Sequence, residues 1–410
     1  MTAPTLAILG ARIRTLDPHR PFASAVAMRD GVIVEVGDDA TVRAACDATT
    51  EIIDGRGLAI VPGLTDSHFH PFWGAEATRG ADLTRVRTPD ELRAVLAAER
   101  EKAEPDAWII GWGLVFEETG IRGDVFDAAV GGHPTFLAFF DGHTAVVNQA
   151  ALRLAGVTGR ETFQDNSVIV RDADGTLTGE LREAGAMDLV RRAMPEPTAA
   201  ERYRWYVEAM RKWNAVGLTG VHAMDGSPAT FDLLRVLEGN GDLTVRMVVP
   251  LWQKPEMTIE EMRAQLPLRN ERGRLWRGGV AKFFIDGVTE TGTAWLYEPD
   301  TLGEGTKPFW PDPDYYAQAV KLFAEAGFQC ATHAVGDCAV RCALDAYRAA
   351  GAAPGVRHRI EHIEQLVDED LPRFAAPTGR MAATRPRAGS DRSAANAHSA
   401  VRTSAAREPS

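Results

Sequence analysis

The feature that most constrains the fold is a regular alternation of helical and strand-like segments in the second half of the chain. Between about residues 198 and 362, helical segments are followed by the apolar strands LTGVHAM, LTVRMVVPLW, VAKFFID, FQCATH and HRIEH. Strands separated by helices pair in parallel, which is typical of α/β folds. With the earlier segment TDSHFH there are about six such strands, so the pattern predicts an incomplete (β/α)8 TIM-type barrel.

The remaining sequence divides into three predicted domains. Residues 1–60 contain short strands and a tight turn, which predicts part of a small N-terminal β-sandwich. Residues 61–376 form the truncated barrel, with a less regular insertion at about 106–196. From residue 377 to 410 there is no Leu, Ile, Phe, Tyr or Trp, so we predict a disordered tail.

Two local patterns predict single elements. Thr88-Pro89-Asp90-Glu91 has the N-cap, the first-turn proline and the acidic first turn of a helix that runs to about Lys102. SVIVRDADGTLTGEL predicts a hairpin that turns at Ala173-Asp174-Gly175. Both patterns lie close to the first barrel strand or inside the insertion.

Charge and hydropathy exclude several classes of protein. A formal charge of -12 argues against a general nucleic-acid or anionic-membrane binder, which needs a basic face. The first residues have no basic segment before a signal-like apolar run, and no apolar run is long enough to span a bilayer. We therefore expect a cytoplasmic protein without nucleic-acid or membrane partners.

Polar residues stand at the ends of three of the predicted strands. Asp66, His68 and His70 share one face of TDSHFH, because alternate residues of a strand point the same way. His333 ends FQCATH and His362 ends HRIEH, where barrel enzymes carry their chemistry. Imidazoles clustered in this way suit a borderline metal such as Zn²⁺. For the first strand alone, a pair of hydrogen-bonded histidines is an equal alternative.

Lys282 is the most informative single residue. It shares a face with Phe284 and Asp286 in VAKFFIDG, so its amine points toward the barrel interior. Burial lowers the pKa of a lysine and frees the amine to react. One interpretation is capture of CO₂ as a carbamate, an anionic oxygen ligand that can bridge two metals. The alternative is an ion pair with Asp286 or Asp66.

Taken in order, five segments of the chain resemble metal-dependent amidohydrolases of the amidohydrolase 3 branch, which includes N-substituted formamide deformylases. The segments are IVPGLTDSHFH, FDGHTAVVNQAAL, AKFFIDG, THAVGD and RIEH. The resemblance implies one or two divalent ions per chain, Zn²⁺ or another metal. It implies that His68 and His70 hold one ion, that His333 and His362 hold the other, and that a carbamate on Lys282 bridges them.

The same resemblance implies a substrate pocket in the insertion. Asp141, His143 and Asn148 match a segment that lines the pocket in this branch, and Glu180 matches a pocket position more loosely. For His143, a hydrogen bond that stabilises a turn is an equal alternative. Trp73 is a candidate wall of the site, with core packing as its alternative.

The implied reaction is hydrolysis of a carbon–nitrogen bond, other than a peptide bond, in a small amide, with Lys282, His333 and His362 as catalytic residues. A carboxylate must carry a proton to the leaving nitrogen. The family places that aspartate after its eighth strand, and Asp391 is a weak match because no apolar run precedes it.

Since each barrel unit needs about 30 residues, the 48 residues after His362 do not supply two more units. One alternative is therefore an impaired or inactive fragment without the last two strands and the aspartate. A second is a protein that binds metal without turnover. A homo-oligomer is one way to cover the open barrel edges.

Overall fold

The computed structural model describes most of the chain. The described residues are 3–115, 122–140, 142–163, 167–289, 292–301, 303–375 and 382–384. They form two compact units. The first contains the described residues up to Thr65 together with Val216–Gly220, and the second contains Asp66–Ala215 and the described residues from Val221 onward.

The first unit is built from short strands and one helix. Its elements are β1 (Leu6–Leu9), β2 (Arg12–Arg14), β3 (Phe22–Ala23), β4 (Ala25–Arg29), β5 (Val32–Gly37), α1 (Asp39–Ala45), β6 (Glu51–Asp54) and β7 (Ala59–Ile60). They form one sheet in the order β5-β4-β1-β6 and another in the order β3-β2-β7. A few small apolar side chains, such as Ala7 and Ala27, are buried together with Leu9 and Val42. This is the small β portion that the sequence predicts.

The second unit begins with the first barrel strand and the insertion. Its elements are β8 (Leu64–Phe69), α2 (Pro71–Ala77), β9 (Ala81–Asp82), α3 (Pro89–Arg100), β10 (Ile109–Leu114), α4 (Asp127–Val130), β11 (Thr135–Phe139), β12 (Thr144–Val147), α5 (Gln149–Leu154), β13 (Val168–Arg171), β14 (Leu177–Arg182) and α6 (Glu183–Arg191). The insertion sheet has the order β13-β14-β12-β11-β10-β9.

Two local predictions in this region are confirmed. Helix α3 begins at a capping box in which the Thr88 side chain accepts from the Glu91 N–H, and Pro89 occupies the first turn. Strands β13 and β14 pair in antiparallel orientation, as the predicted hairpin requires.

The rest of the barrel follows in regular alternation. Its elements are α7 (Ala199–Ala215), β15 (Leu218–Ala223), α8 (Pro228–Gly239), β16 (Arg246–Trp252), α9 (Ile259–Ala264), β17 (Trp276–Phe284), α10 (Pro313–Glu325), β18 (Gln329–Ala334), α11 (Asp337–Ala350), β19 (Arg359–His362) and β20 (Ala382–Thr384). Short 3-10 helices cover Gly123–Phe126, Leu266–Asn270 and Asp368–Ala375. The sheet order is β20-β19-β18-β17-β16-β15-β8, and the pairings from β16 to β20 are parallel. Six strands of this sheet form the nearly closed barrel that the sequence predicts.

Because side chains alternate along β17, Lys282 points into the barrel while Phe283 packs on the opposite face of the sheet. Phe283 is fully buried, and its ring contacts the rings of Trp310, Tyr316 and Phe323 in the helical layer. Its neighbours Lys282 and Phe284 point to the other side of the sheet. The large aromatic core therefore fixes the strand that presents Lys282.

The seventh strand departs from the prediction of a disordered tail. Ala382–Thr384 pairs in parallel with β19, in the register Arg359↔Ala382. An edge strand has unpaired backbone N–H and C=O groups, and a neighbouring segment satisfies them without needing apolar side chains. The other residues from 377 onward lie outside the described residues.

None of the helices in the described part of the chain combines the length and the apolar character that a bilayer crossing requires.

Candidate metal centre

The structure brings the four predicted histidines together at the carboxyl ends of three barrel strands. The ring centroids of His68 and His70 are 5.4 Å apart, and those of His68 and His362 are 4.7 Å apart. His333 lies against His362 with a centroid distance of 4.4 Å. Residues separated by hundreds of positions therefore form one cluster.

His362 reaches this cluster through an unusual backbone. Its neighbour Glu361 also points into the barrel, and strict alternation would place the two side chains on opposite faces. The backbone leaves the strand conformation here, with φ of +73° at His362 and +53° at Ile363. A left-handed conformation in a residue other than glycine costs of order 1–3 kcal/mol and is concentrated at functional sites.

Lys282 is buried beside the histidines. Its side chain is 1% exposed, and its Nζ atom has no hydrogen-bond partner. Burial lowers its pKa to about 8, although the nearby Glu361 carboxylate opposes the shift. About a tenth of the amine is therefore uncharged at pH 7, far more than for an ordinary lysine.

The predicted alternative, an ion pair of Lys282 with Asp286 or Asp66, is wrong. Asp286 instead accepts hydrogen bonds from the N–H groups of Trp295, Val335 and Gly336. Asp66 accepts from the backbone N–H of His68 at 2.9 Å. Both carboxylates are engaged in holding the loops and strand ends around the site.

Burial keeps three imidazoles of the cluster, those of His70, His333 and His362, neutral. It lowers the pKa of His70 and of His362 to about 3, with the charge of Lys282 adding to the effect in both. It also holds the pKa of His333 well below the ordinary value. Neutral imidazole is the form that binds a metal ion.

Two hydrogen bonds orient the rings of the cluster. His333 Nε2 donates to the carbonyl of Gly287 at 2.9 Å, which leaves Nδ1 as the lone-pair atom. His68 Nδ1 lies 2.8 Å from Glu361 Oε2. The sequence prediction missed Glu361 and its partner Arg359, although their alternate positions in RIEH place both on the interior face.

Aromatic rings flank the cluster. Phe284 stacks on His333 at a centroid distance of 3.7 Å and also on Phe309 at 5.4 Å. The ring of His70 lies 6.0 Å from that of Trp73 and 6.5 Å from that of Trp252. These rings form an apolar surround for the imidazoles.

The insertion reaches the same region through Trp73. A Cβ at Gly142 would lie 2.8 Å from Cη2 of Trp73, so the loop before β12 passes directly over this ring. The next residue, His143, has its Nδ1 atom 2.9 Å from Glu183 Oε2. Glu183, which the sequence prediction also missed, has a positive φ of +63°.

The other predicted pocket residues have mixed outcomes. Asp141 lies outside the described residues. Asn148 is fully buried as the N-cap of α5, where its Oδ1 accepts from the N–H groups of Ala151 and Thr135. Glu180 pairs with Arg182 at 2.7 Å. The predicted substrate contacts of His143, Asn148 and Glu180 stay predictions.

The donor set fits a divalent metal in chemical type. Within the residues described, no three or more His, Cys, Asp and Glu side chains form a group arranged to hold one ion. The implied arrangement does not require such a group, because each ion takes two imidazoles and further oxygen ligands from a carbamate on Lys282. Neutral imidazoles and a buried amine without a partner are what that arrangement needs.

The parallel barrel carries its polar side chains at the carboxyl ends of the strands, where enzymes with this fold place their active sites. The structure resembles an uncharacterized metal-dependent hydrolase from Pyrococcus horikoshii OT3 with a TM-score of 0.69, covering 92% of this chain and 74% of that chain. The two sequences are 22% identical, so this likeness shows the fold alone.

Sequence comparison identifies the protein family. The model of the amidohydrolase family matches residues 51–406, and the chain belongs to this family. It is 30% identical over 393 residues to Protein LONG AFTER FAR-RED 3 of Arabidopsis thaliana, covering 90% of this chain. It is 28% identical over 364 residues to N-substituted formamide deformylase of Arthrobacter pascens, covering 84% of this chain. The chain spans 66% of the length of each of these two relatives.

Proposed function

We propose that this chain is a metal-dependent hydrolase that cleaves a carbon–nitrogen bond, other than a peptide bond, in a small amide-type substrate. The observation that carries the proposal is the convergence of four imidazoles around a buried lysine whose amine has no hydrogen-bond partner. The name of the Arthrobacter relative, a deformylase of N-substituted formamides, supports the choice of bond.

In this proposal the cluster holds one or two divalent ions, with zinc as the first candidate. His68 and His70 bind one ion, and His333 and His362 bind the other. When bound, such ions lower the pKa of water toward neutrality and polarise a substrate carbonyl. The protein contributes neutral imidazoles, fixed ring orientations and a surround of aromatic rings that restricts water.

Lys282, modified as a carbamate, would supply anionic oxygen ligands to the ions. The lone pair of its uncharged Nζ attacks the carbon of CO₂, a bond forms between nitrogen and carbon, and one proton leaves to solvent. The product is an anion with two oxygen atoms, which suits a position between two cations. The low pKa of Lys282 favours this step because the uncharged amine is the reacting form.

The substrate side of the proposal rests on the surroundings of His70. Trp73 is 49% exposed and lies against this ring, and the His143 loop passes over Trp73. We expect an apolar part of the substrate to contact Trp73 and a polar part to contact His143. A cytoplasmic location, a homo-oligomeric state and the absence of nucleic-acid and membrane partners stay predictions.

A second candidate is a protein that binds metal but is impaired in turnover. It is favoured by the described carboxylates around the cluster, Asp66, Asp286 and Glu361, each of which is already engaged by other groups of the protein. Without the implied aspartate, no group in the proposal carries the proton to the leaving nitrogen.

The test combines metal analysis, intact mass and hydrolysis. We expect the purified chain to contain one to two equivalents of zinc, to show a mass increase of one CO₂ in non-denaturing conditions, and to release amine from a panel of N-substituted amides. Lys282→Met should abolish all three signals, whereas Lys321→Met, at an exposed position on α10, should leave them unchanged. Metal without hydrolysis would favour the second candidate, and the absence of metal would reject both.

A further inference from the structure

A buried ion-pair network lies beneath the histidine cluster. Glu361 is fully buried, and Arg359 is 5% exposed. Arg359 Nε lies 2.9 Å from Glu361 Oε1, and Arg359 Nη2 donates to Glu361 Oε2 at 3.1 Å. The guanidinium therefore donates a hydrogen bond to one carboxylate oxygen and lies within ion-pair distance of the other, which holds the carboxylate in place.

The guanidinium is itself fixed by two other strands. Its Nη2 atom donates to the carbonyl of Ser67 on β8 at 2.7 Å, and its Nη1 atom lies 2.9 Å from His222 Nδ1 on β15. Since arginine can only donate, His222 must accept at Nδ1. The position of Glu361 is therefore set by three strands of the barrel.

These contacts decide where the proton lies on His68. A carboxylate in ion-pair contact with a guanidinium offers its oxygens as hydrogen-bond acceptors. The 2.8 Å contact between His68 Nδ1 and Glu361 Oε2 is then an Nδ1–H donor to a carboxylate. In the neutral ring the other nitrogen, Nε2, carries the lone pair. His333 has the opposite arrangement, because its Nε2 donates to Gly287.

We infer that Glu361, held by Arg359, is a positioning residue that fixes the Nδ1–H tautomer and the ring orientation of His68, so that Nε2 is presented as a metal ligand. This inference rests on the proposed function for the role of the metal, but not for the tautomer. A carboxylate that accepts the second N–H of a metal-binding histidine raises the basicity of the ligand, and its loss typically lowers metal affinity about 10- to 100-fold.

The first measurement does not depend on metal. The chain is labelled with ¹⁵N-histidine, stripped with a chelator, and examined by NMR for the tautomer of the His68 ring, assigned with His68→Gln. We expect the Nδ1–H form in the wild type. Replacing Glu361 alone would leave a buried arginine unpaired and risks unfolding. We therefore use Arg359→Met/Glu361→Met, which removes both charges and keeps apolar volume.

In the double variant we expect His68 to shift toward the Nε2–H tautomer, and zinc affinity, measured by competition with a chromophoric chelator, to fall about 10- to 100-fold. Glu361→Gln retains an acceptor oxygen without the charge, so it should lose less affinity than the double variant. Glu183→Met is the matched control, because Glu183 makes a similar contact with His143 outside the cluster. Glu183→Met should leave the tautomer of His68 and the zinc affinity unchanged.

An unchanged His68 tautomer in the double variant would overturn the inference and leave Glu361 as a counter-charge for Arg359 and Lys282. An equal loss of zinc affinity in Glu183→Met would overturn it as well, since the effect would then be general. If the wild type binds no zinc, the proposed function fails while the tautomer measurement still decides the inference.

Discussion

Two buried glutamates in this protein make nearly the same contact with a histidine, yet their surroundings differ. Glu361 in the barrel lies 2.8 Å from His68, and Glu183 in the insertion lies 2.9 Å from His143. Glu361 sits on a regular strand and faces a buried arginine. Glu183 has a positive φ, and its Oε1 atom is buried without a hydrogen-bond partner.

The difference separates two ways of holding a buried carboxylate. In the barrel, a countercharge and strand register determine its position, so the negative charge is compensated. In the insertion, within the part of the chain that the structure describes, no lysine or arginine forms an ion pair with Glu183, and a strained backbone places the side chain. Removal of the carboxylate should therefore destabilise the chain much more at Glu361 than at Glu183.

The largest effect is expected for Glu361→Met. The substitution leaves the Arg359 guanidinium buried and unpaired, which should lower the free energy of unfolding by about 3–5 kcal/mol. Urea denaturation of the metal-free chain measures this loss. Arg359→Met/Glu361→Met should recover most of it, and a single variant as stable as the wild type would show that Arg359 finds another partner or solvent.

Asp225 is a third buried carboxylate, and no ion pair with a lysine or arginine is found for it among the described residues. Its contribution to stability should therefore depend on pH. Burial raises the pKa of Asp225 to about 7 from an ordinary value of 3.8, against hydrogen bonds from backbone N–H groups, including that of Trp73. Since the folded chain keeps a proton that the unfolded chain loses, stability from this group is full below pH 3.8 and is lost as the pH rises through 7. Its size is roughly 2–4 kcal/mol.

Asp225→Asn should remove this dependence. We expect the variant to be more stable than the wild type at pH 8, with a difference that shrinks steadily as the pH falls from 7 toward 3.8, as measured by urea midpoints across this range. His68 and His70 are unchanged in this variant, so zinc content serves as the control for an intact site. If the stability of the wild type and of Asp225→Asn changed with pH in the same way, the pH dependence would come from groups other than Asp225.

Zinc binding should raise the free energy of unfolding by about 2.7 kcal/mol when the free zinc concentration is 100 times the dissociation constant. The added protection from hydrogen exchange should fall on β8, β18 and β19, which carry the imidazoles, and not on β12 and β14 of the insertion. His68→Ala/His333→Ala should abolish the gain. Equal protection in the insertion would mean that His143 or its neighbours also respond to the metal.

The smallest effect is expected for Glu183→Gln. The amide retains an acceptor for His143, so the free energy of unfolding should change by no more than about 1 kcal/mol. Urea denaturation beside Glu361→Gln measures the difference between the two regions. If Glu183→Gln lowered the free energy of unfolding as much as Glu361→Gln, the two carboxylates would not differ in how they are held.

Much of the barrel and its cluster could be predicted because strand alternation is local. Lys282 faces inward and Phe283 outward as the period of two requires, and the ends of FQCATH and TDSHFH place His333 and His68 at one rim. The helix at Thr88 was predictable for the same reason, since a capping box is contained in four consecutive residues.

What sequence did not reveal depends on contacts between distant segments. Glu361 reads as an ordinary strand residue until Arg359 and His68 are seen beside it. Asn148 also accepts a hydrogen bond from the N–H of Thr135 on β11, a contact that the local sequence does not indicate. Ala382–Thr384 pairs through its backbone with β19, which composition does not encode.

The left-handed backbone at His362 restricts which amino acids can occupy that position. Branched side chains such as valine and isoleucine are penalised there, while glycine, asparagine and aspartate accept the conformation more readily. A library randomised at this codon and sorted only for folding should therefore return these small residues along with histidine. Sorting the same library for zinc should retain histidine or aspartate and reject glycine.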